Sequence, residues 1–184
     1  MPLSDEELAQ LCRQDSKHFD PLVTRYAEKI RRYIARLIGN WQEAEDLTQD
    51  VFVKTFTNIA SFNPKLKFSS WIYRIAHNES VNFIKKNYRH RIVEFSDEIK
   101  NKLVDHGTNY RMILEKENTQ AIRIGLAKLR HRDREIIELA YFEQKSYLEI
   151  ADILRISVNS VGSMLNRAKK NLKKIIAKND QIRR

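Results

Sequence analysis

The stretch WQEAEDLTQDVFVKTFTNIASFNPKLKFSSWIYRIAHNESVNFIKK, running from Trp41 to Lys86, decides the fold. In its first half Trp41, Ala44, Leu47, Val51, Phe52, Thr55, Phe56 and Ile59 recur at steps of three and four, the period of an amphipathic helix with one buried stripe. Asp46, Gln49, Asp50 and Val53 fall at i, i+3, i+4 and i+7, so they form a second continuous strip on the outer side. Two readings of that strip stand open. It is a solvated face whose acids sit near the helix N-terminus, where the macrodipole favours them, or it is a docking surface, because a solvated face has little need of a glutamine and a valine among acids.

Pro64 holds Asn63 away from helical dihedrals, so this helix ends near Phe62. Ser69 or Ser70 is expected to cap a second helix, in which Ile72, Ile75, Ala76, Phe83 and Ile84 trace the buried stripe. Outside it lie Asn63, Lys65, Lys67 and Phe68 on the connecting loop, then Tyr73, Arg74, His77 and Asn78. Single-stranded nucleic acid asks for this mixture. Aromatic faces stack on unpaired bases for about 1–3 kcal/mol per base while Lys and Arg follow the phosphates, and amides read the Watson–Crick edge of an extruded base. Phe62 and Trp71 are assigned to packing between the two helices, whereas Asn63, Lys65 and Lys67 have no core reading, since unpaired charges are almost never buried.

Composition frames these assignments. With 184 residues the chain has room for one large or two small domains, and four Gly and three Pro are too few for a turn-rich β protein. The expected class is all-α. A hydrophobic content of 42% can fill packed cores, and 32% charged residues with a mean hydropathy of −0.58 fit a soluble chain. No apolar run approaches the roughly 18 residues of a membrane span, and the opening Met1-Pro2-Leu3-Ser4-Asp5-Glu6-Glu7 is acidic, unlike a signal peptide. A cytoplasmic protein is expected. The single cysteine, Cys12, is assigned to packing on the first helix, and the histidines at 18, 77, 90, 106 and 131 lack metal-ligand spacing. Neither metal nor cofactor is expected. The sequence also lacks a Gly-rich phosphate loop and a Cys–His nucleophile pattern, so a non-enzymatic role follows.

The net charge of +10 is uneven. Residues 1–91 carry 15 basic against 11 acidic side chains, residues 92–120 carry 4 against 6, and residues 121–184 carry 15 against 7, a local excess of +8. Such a C-terminal third attracts phosphate backbones with a strong salt dependence. Its apolar residues are arranged as a helix-turn-helix between Ser146 and Leu172. Ile150, Ala151 and Leu154 line the first helix, Arg155-Ile156-Ser157 make the turn, and Val161, Met164 and Leu165 anchor a second helix capped by Ser157 and running to about Lys174. Asn159, Ser160, Gly162, Ser163, Asn166, Arg167, Lys169 and Lys170 point outward, the amides, hydroxyls and arginine suited to base edges and the lysines to phosphates. Upstream, Leu126, Leu129, Ile136, Leu139 and Ala140 suggest two supporting helices broken near His131-Arg132-Asp133, with Asp133 as a cap. Gly125 weakens that reading, since a mid-helix glycine costs about 1 kcal/mol. Residues 92–118 show no steady apolar period and read as a linker that, extended, could reach about 90 Å, beyond the roughly 70 Å of two turns of duplex.

The ordered blocks Glu43-Ala44-Glu45-Asp46-Leu47-Thr48-Gln49-Asp50-Val51-Phe52, Phe68-Ser69-Ser70-Trp71-Ile72-Tyr73-Arg74-Ile75-Ala76-His77-Asn78, and Tyr147-Leu148-Glu149-Ile150-Ala151 through Leu165-Asn166-Arg167-Ala168-Lys169 resemble a bacterial RNA polymerase sigma factor of the extracytoplasmic-function group. The resemblance covers about residues 15–90 and 120–175. It implies a region 2-like helical bundle over 1–91, a linker over 92–118 that threads the polymerase near the RNA exit path, and a region 4-like helix-turn-helix domain over 119–184. It assigns Asp46, Gln49, Asp50 and Val53 to docking on core polymerase. Asn63, Lys65, Lys67 and Phe68 would capture a flipped base of the melted minus-ten element, supported by Trp71, Tyr73, Arg74 and Asn78. Asn159, Ser160, Ser163, Asn166, Arg167, Lys169 and Lys170 would read the minus-thirty-five duplex. Promoter DNA, core RNA polymerase and an anti-sigma factor are the implied partners. Gly162 and Met164 stand where relatives commonly carry basic residues, so some phosphate contacts are expected to be missing, and Gly162 is expected to loosen the helix.

Two other classes use parts of the same sequence. A dimeric helix-turn-helix regulator explains Ser146–Leu172 but leaves the Asp46–Val53 strip and the Lys65–Arg74 segment without a task. An RNA-binding protein would place the aromatics on unpaired bases but has no use for a duplex-reading motif.

Overall fold

The computed structural model describes residues 3–87 and 119–182, so the expected linker at 92–118 lies outside the described residues. Among the described residues the regular elements are all helical, and the chain divides into two compact units.

The N-terminal unit is a bundle of α1 (Asp5–Leu11), α2 (Phe19–Ile38), α3 (Trp41–Thr57) and α4 (Phe68–Asn87). A capping box starts α1: Ser4 Oγ accepts from the Glu7 amide at 3.2 Å, and the Glu7 carboxylate accepts from the Ser4 amide at 2.7 Å. That backbone bond holds the Glu7 carboxyl below its ordinary range. Helix α2 ends at Gly39, whose φ of 73° closes the last turn through a bond from its amide to the Ala35 carbonyl. Asn40 then starts α3, its side-chain oxygen accepting from the amides of Gln42 and Glu43. The buried face of α3 carries Ala44, Leu47, Thr48, Val51 and Thr55. Both threonine hydroxyls donate to carbonyls four residues back, at 2.6 and 2.7 Å, which lets them sit in an apolar core.

Two expectations for this unit are corrected. Phe56 is 43% exposed, its ring meeting only the edge of Phe19 at the rim of the bundle, so the core stripe of α3 stops short of it. Helix α4 begins at Phe68 and not after a serine cap, because Glu6 on α1 accepts from the Phe68 amide at 2.9 Å and serves the helix end from a distance. Ser69 and Ser70 lie within the first turn, Ser70 buried. Cys12 is buried just beyond α1, and burial pushes its thiol up from the ordinary value.

The C-terminal unit contains α5 (Thr119–Lys128), α6 (His131–Ile137) extended by a π turn over Glu138–Phe142, α7 (Tyr147–Leu154) and α8 (Val158–Ile182). The break between α5 and α6 falls at Leu129–Arg130. Asp133 is not a cap. It lies inside α6, 3% exposed, and faces α8. The guanidinium of Arg134 instead closes the end of α5 by donating to the carbonyls of Leu126 and Ala127. Burial lowers the Arg134 pKa from its ordinary value, and neighbouring Glu138 counters part of that shift. Gly125 has a packing reason: a Cβ there would stand 2.8 Å from Leu172 Cδ1 and 3.1 Å from Ile176 Cγ1, so its absence lets α5 and α8 approach. Helix α8 continues well past Lys174. Leu172 and Ile176 are the residues it sets against Gly125, and that long-range packing is what a local reading of the sequence omits.

Candidate nucleic-acid interface

On α3 the outer strip is intact. Asp46, Gln49 and Asp50 are exposed, and Val53 is 61% exposed. Phe56, one turn beyond Val53, extends this strip with apolar surface that sequence periodicity placed in the core. The acids therefore lead into an exposed valine–phenylalanine pair on the same helix face.

The loop between the 3-10 turn Ile59–Ser61 and α4 is organised by Asn63, whose side-chain oxygen accepts from the Lys65 amide at 3.0 Å and whose carbonyl accepts from the Leu66 amide at 3.0 Å. This Asx turn sends Lys65 and Lys67 to the surface, with Leu66 between them 49% exposed. Leu66 was not singled out by the sequence reading. An apolar residue in a polar loop is the signal that could have marked it.

Beneath the loop lies an aromatic floor. Phe62 and Phe68 meet edge to face at 5.6 Å, Trp71 lies 5.2 Å from Phe62 and 5.7 Å from Phe68, and Tyr26 meets Phe68 at 5.6 Å. Phe68 is fully buried and Tyr73 is 1% exposed against Tyr33. Neither ring has a face to offer a base, and both are withdrawn from the surface set because the bundle core needs them. Trp71 is half-buried at the rim, and Arg74 and Asn78 follow it along one face of α4 at i+3 and i+7. Lys54 of α3 pairs with Glu79 of α4 at 2.5 Å beside that face.

In the C-terminal unit Ser146 and Glu149 form a capping box at the start of α7, with bonds of 2.9 and 3.3 Å. Helix α7 ends in a Schellman-type turn in which the Ile156 amide reaches the Ala151 carbonyl at 3.0 Å and Arg155 takes φ 52°. Ser157 Oγ accepts from the Ser160 amide at 3.2 Å and starts α8, as its position predicts. The hairpin core is Ile150, Ala151, Ile153, Val161, Leu165 and Ala168. Ile153 and Ala168 thus take the inner positions expected of Leu154 and Met164, which are half-buried.

The outer face of α8 presents Asn159, Ser163, Asn166, Lys169 and Lys170. Ser160 is drawn into the cap through its hydroxyl contact with Ser157 at 2.7 Å. Arg167 is held sideways, its guanidinium donating to Asp133 at 3.1 and 3.3 Å. Helix α8 runs unbroken through Gly162, where a Cβ would make only an ordinary 3.6 Å contact with Tyr147.

A helical bundle with an acidic-to-apolar strip and a basic loop, followed along the chain by a helix-turn-helix with a polar outer helix, defines a nucleic-acid-binding protein that also docks on a protein. Comparison with known families places that class. Residues 22–90 match Sigma-70 region 2, and residues 120–172 match Sigma-70 region 4. Similar proteins include the ECF RNA polymerase sigma factor SigW of Bacillus subtilis, 32% identical over 178 residues, spanning 92% of this chain and 94% of that one. Another is the RNA polymerase sigma factor YlaC of the same organism, 31% identical over 173 residues, spanning 91% of this chain and 99% of that one. Two solved structures share the fold. One is the sigma factor RpoE in complex with the anti-sigma factor NepR from Bartonella quintana, with a TM-score of 0.69 and 22% identity over 88% of this chain and 98% of that one. The other is CnrH in complex with the cytosolic domain of CnrY, with a TM-score of 0.68 and 23% identity over 94% of this chain and 97% of that one.

The chain belongs to the extracytoplasmic-function (ECF) sigma factors of RNA polymerase. It is an alternative sigma factor directing transcription initiation, with core polymerase and promoter DNA as its partners, and the dimeric-regulator reading is not favoured. Sigma factors are not enzymes in themselves.

Proposed function

We propose a division of labour along the chain, with residues 1–91 serving polymerase docking and minus-ten recognition, 92–118 acting as a linker, and 119–184 reading the minus-thirty-five element. Asp46, Gln49, Asp50 and Val53 dock on the core enzyme. Asn63, Lys65 and Lys67 then hold a base and the phosphates of the melted strand, while Trp71, Arg74 and Asn78 support strand separation. The lysines track the backbone and the half-buried indole supplies a stacking edge. Asn159, Ser163 and Asn166 face base edges of the duplex, and Lys169 and Lys170 its phosphates.

The observation that carries the docking assignment is Val53, 61% exposed between carboxylates on a helix whose opposite face is fully packed. An apolar residue held out beside acids is the composition of a protein contact, where apolar burial supplies affinity and charge supplies orientation. The chain works in the cytoplasm with polymerase; among the described residues no helix is long and apolar enough to cross a membrane. An anti-sigma factor is its regulatory partner, a reading supported by the bound partner in the RpoE–NepR relative.

The test is co-elution of the purified chain with bacterial core RNA polymerase, with Asp50→Arg run beside it. The wild type is expected to travel with polymerase and the variant alone. A variant that still travels with polymerase removes α3 from the docking surface. A wild type that runs alone while shifting duplex DNA overturns the whole assignment.

A further inference from the structure

Helix α1 lies outside the segment that matches Sigma-70 region 2, yet it holds both ends of the loop at 63–67. Arg13 Nη2, just past the end of α1, donates to the Phe62 carbonyl at 2.6 Å, and Glu6 Oε1 accepts from the Phe68 amide at 2.9 Å. Phe62 and Phe68 are the residues that bracket the loop, and each pairs with a residue about fifty or sixty positions away in sequence. Helix α1 is itself fixed. Asp5 pairs with Arg25 of α2 at 2.5 Å and accepts from the Tyr26 hydroxyl, while Leu8 and Ala9 are buried beneath. Tyr26 in turn meets the ring of Phe68, so the anchor of α1 and the floor of the loop share one residue.

We infer that Glu6 and Arg13 are positioning residues for single-strand recognition, forming a latch that sets the height and spacing of Asn63, Lys65 and Lys67 over the aromatic floor. The inference rests on the reading of that loop as the single-strand surface. Glu6 contributes a second effect. An open helix N-terminus attracts phosphate through its free amides and dipole, and the Glu6 carboxylate already occupies that end of α4. A backbone phosphate is thereby turned away from α4 and left to Lys65 and Lys67. Neither latch residue needs to touch the nucleic acid.

The experiment uses the full chain bound to core polymerase and a fluorescein-labelled single-stranded oligonucleotide, recovered by the wild-type complex from a pool of randomised ten-base inserts. Glu6→Ala and Arg13→Ala are expected to weaken capture of that oligonucleotide by about fivefold each, the loss of one cap-strength bond, while co-elution with polymerase and the shift of duplex DNA stay as in the wild type. Glu6→Gln keeps an acceptor at the same place and should restore capture to within about twofold of the wild type. Capture by Glu6→Ala equal to the wild type, or Glu6→Gln as weak as Glu6→Ala, overturns the latch. Amide hydrogen exchange at Leu66 and Phe68 separates this from failure of the underlying reading. Faster exchange in Glu6→Ala supports the latch even when the wild type captures no single strand, a result that would end the minus-ten assignment alone. Unchanged exchange overturns the latch directly.

Discussion

The buried carboxylate of Asp133 and the guanidinium of Arg167 meet at 3.1 Å, tying α6 to the outer helix of the helix-turn-helix. Asp133 also accepts from Asn171 Nδ2 at 2.9 Å, so one side chain fixes two successive turns of α8. A buried carboxylate with two partners sets the rotation of that helix about its axis, and hence which residues face outward. Replacing Asp133 by Ala should destabilise the C-terminal unit by about 2 kcal/mol, mostly through the bond to Asn171 and the loss of a buried acceptor's partners. The Arg167 side chain is 58% exposed, so solvent discounts its share. Amide exchange of α6 and α8 in the full chain measures the loss. Combining Asp133→Ala with Arg167→Ala should show a coupling above about 0.5 kcal/mol.

Gly125 permits a sharper comparison. Alanine there brings its Cβ against the tip of Leu172, which can rotate, and gains about 1 kcal/mol of helix propensity. Gly125→Ala is therefore expected within about 1 kcal/mol of the wild type. Gly125→Val has no such escape, since Ile176 Cγ1 stands 3.1 Å from the Cβ position, and it should lose about 1–3 kcal/mol by the same exchange measurement.

Alkaline pH probes the anchor of α1. Burial, then the hydrogen bond to Asp5, pushes the Tyr26 hydroxyl well above its ordinary value of 10. A group raised in the folded state gives stability that is complete below the unfolded value and is lost as pH climbs above it. Wild-type stability should thus fall above about pH 10 with a contribution from this residue of up to about 1.4 kcal/mol per pH unit. Tyr26→Phe should start less stable by about 1 kcal/mol and lack that part of the slope. Denaturant titrations between pH 9 and 11 report both.

The lysines of α8 are assigned to phosphates, and salt dependence tests them. Lys169→Ala and Lys170→Ala should each weaken duplex binding for all sequences alike and lower the slope of log affinity against log salt by about 1. Asn166→Ala should instead cost about 1–3 kcal/mol at one base position and leave the slope unchanged. Fluorescence anisotropy over a salt series distinguishes the two patterns.

Periodicity was enough to find α3, its outer strip and the helix-turn-helix, because each is written in residues three and four apart. What it missed depends on distant partners. Phe56 fits the stripe by spacing, but α2 offers it only the edge of Phe19. Ser69 and Ser70 have the chemistry of a cap, yet Glu6, 62 residues before Phe68, supplies it. Gly125 looks like a helix breaker until Leu172 and Ile176 arrive beside it. Phe68 and Tyr73 share the aromatic-basic composition of a stacking surface, and only their burial against Tyr26 and Tyr33 separates floor from face.

The π turn at Glu138–Phe142, closed by the Glu143 amide on the Glu138 carbonyl at 3.0 Å, accommodates one residue more than an α-helical turn of the same length. It acts as an angular offset written into the chain. Deleting a single residue there would let the segment wind as ordinary α-helix, and everything downstream would enter the next turn rotated by about 100°. The aim of Asn159 and Asn166 is therefore set in part by how many residues precede them, and lineages that gain or lose one residue in this turn would change the bearing of their reading helix without altering any side chain upon it.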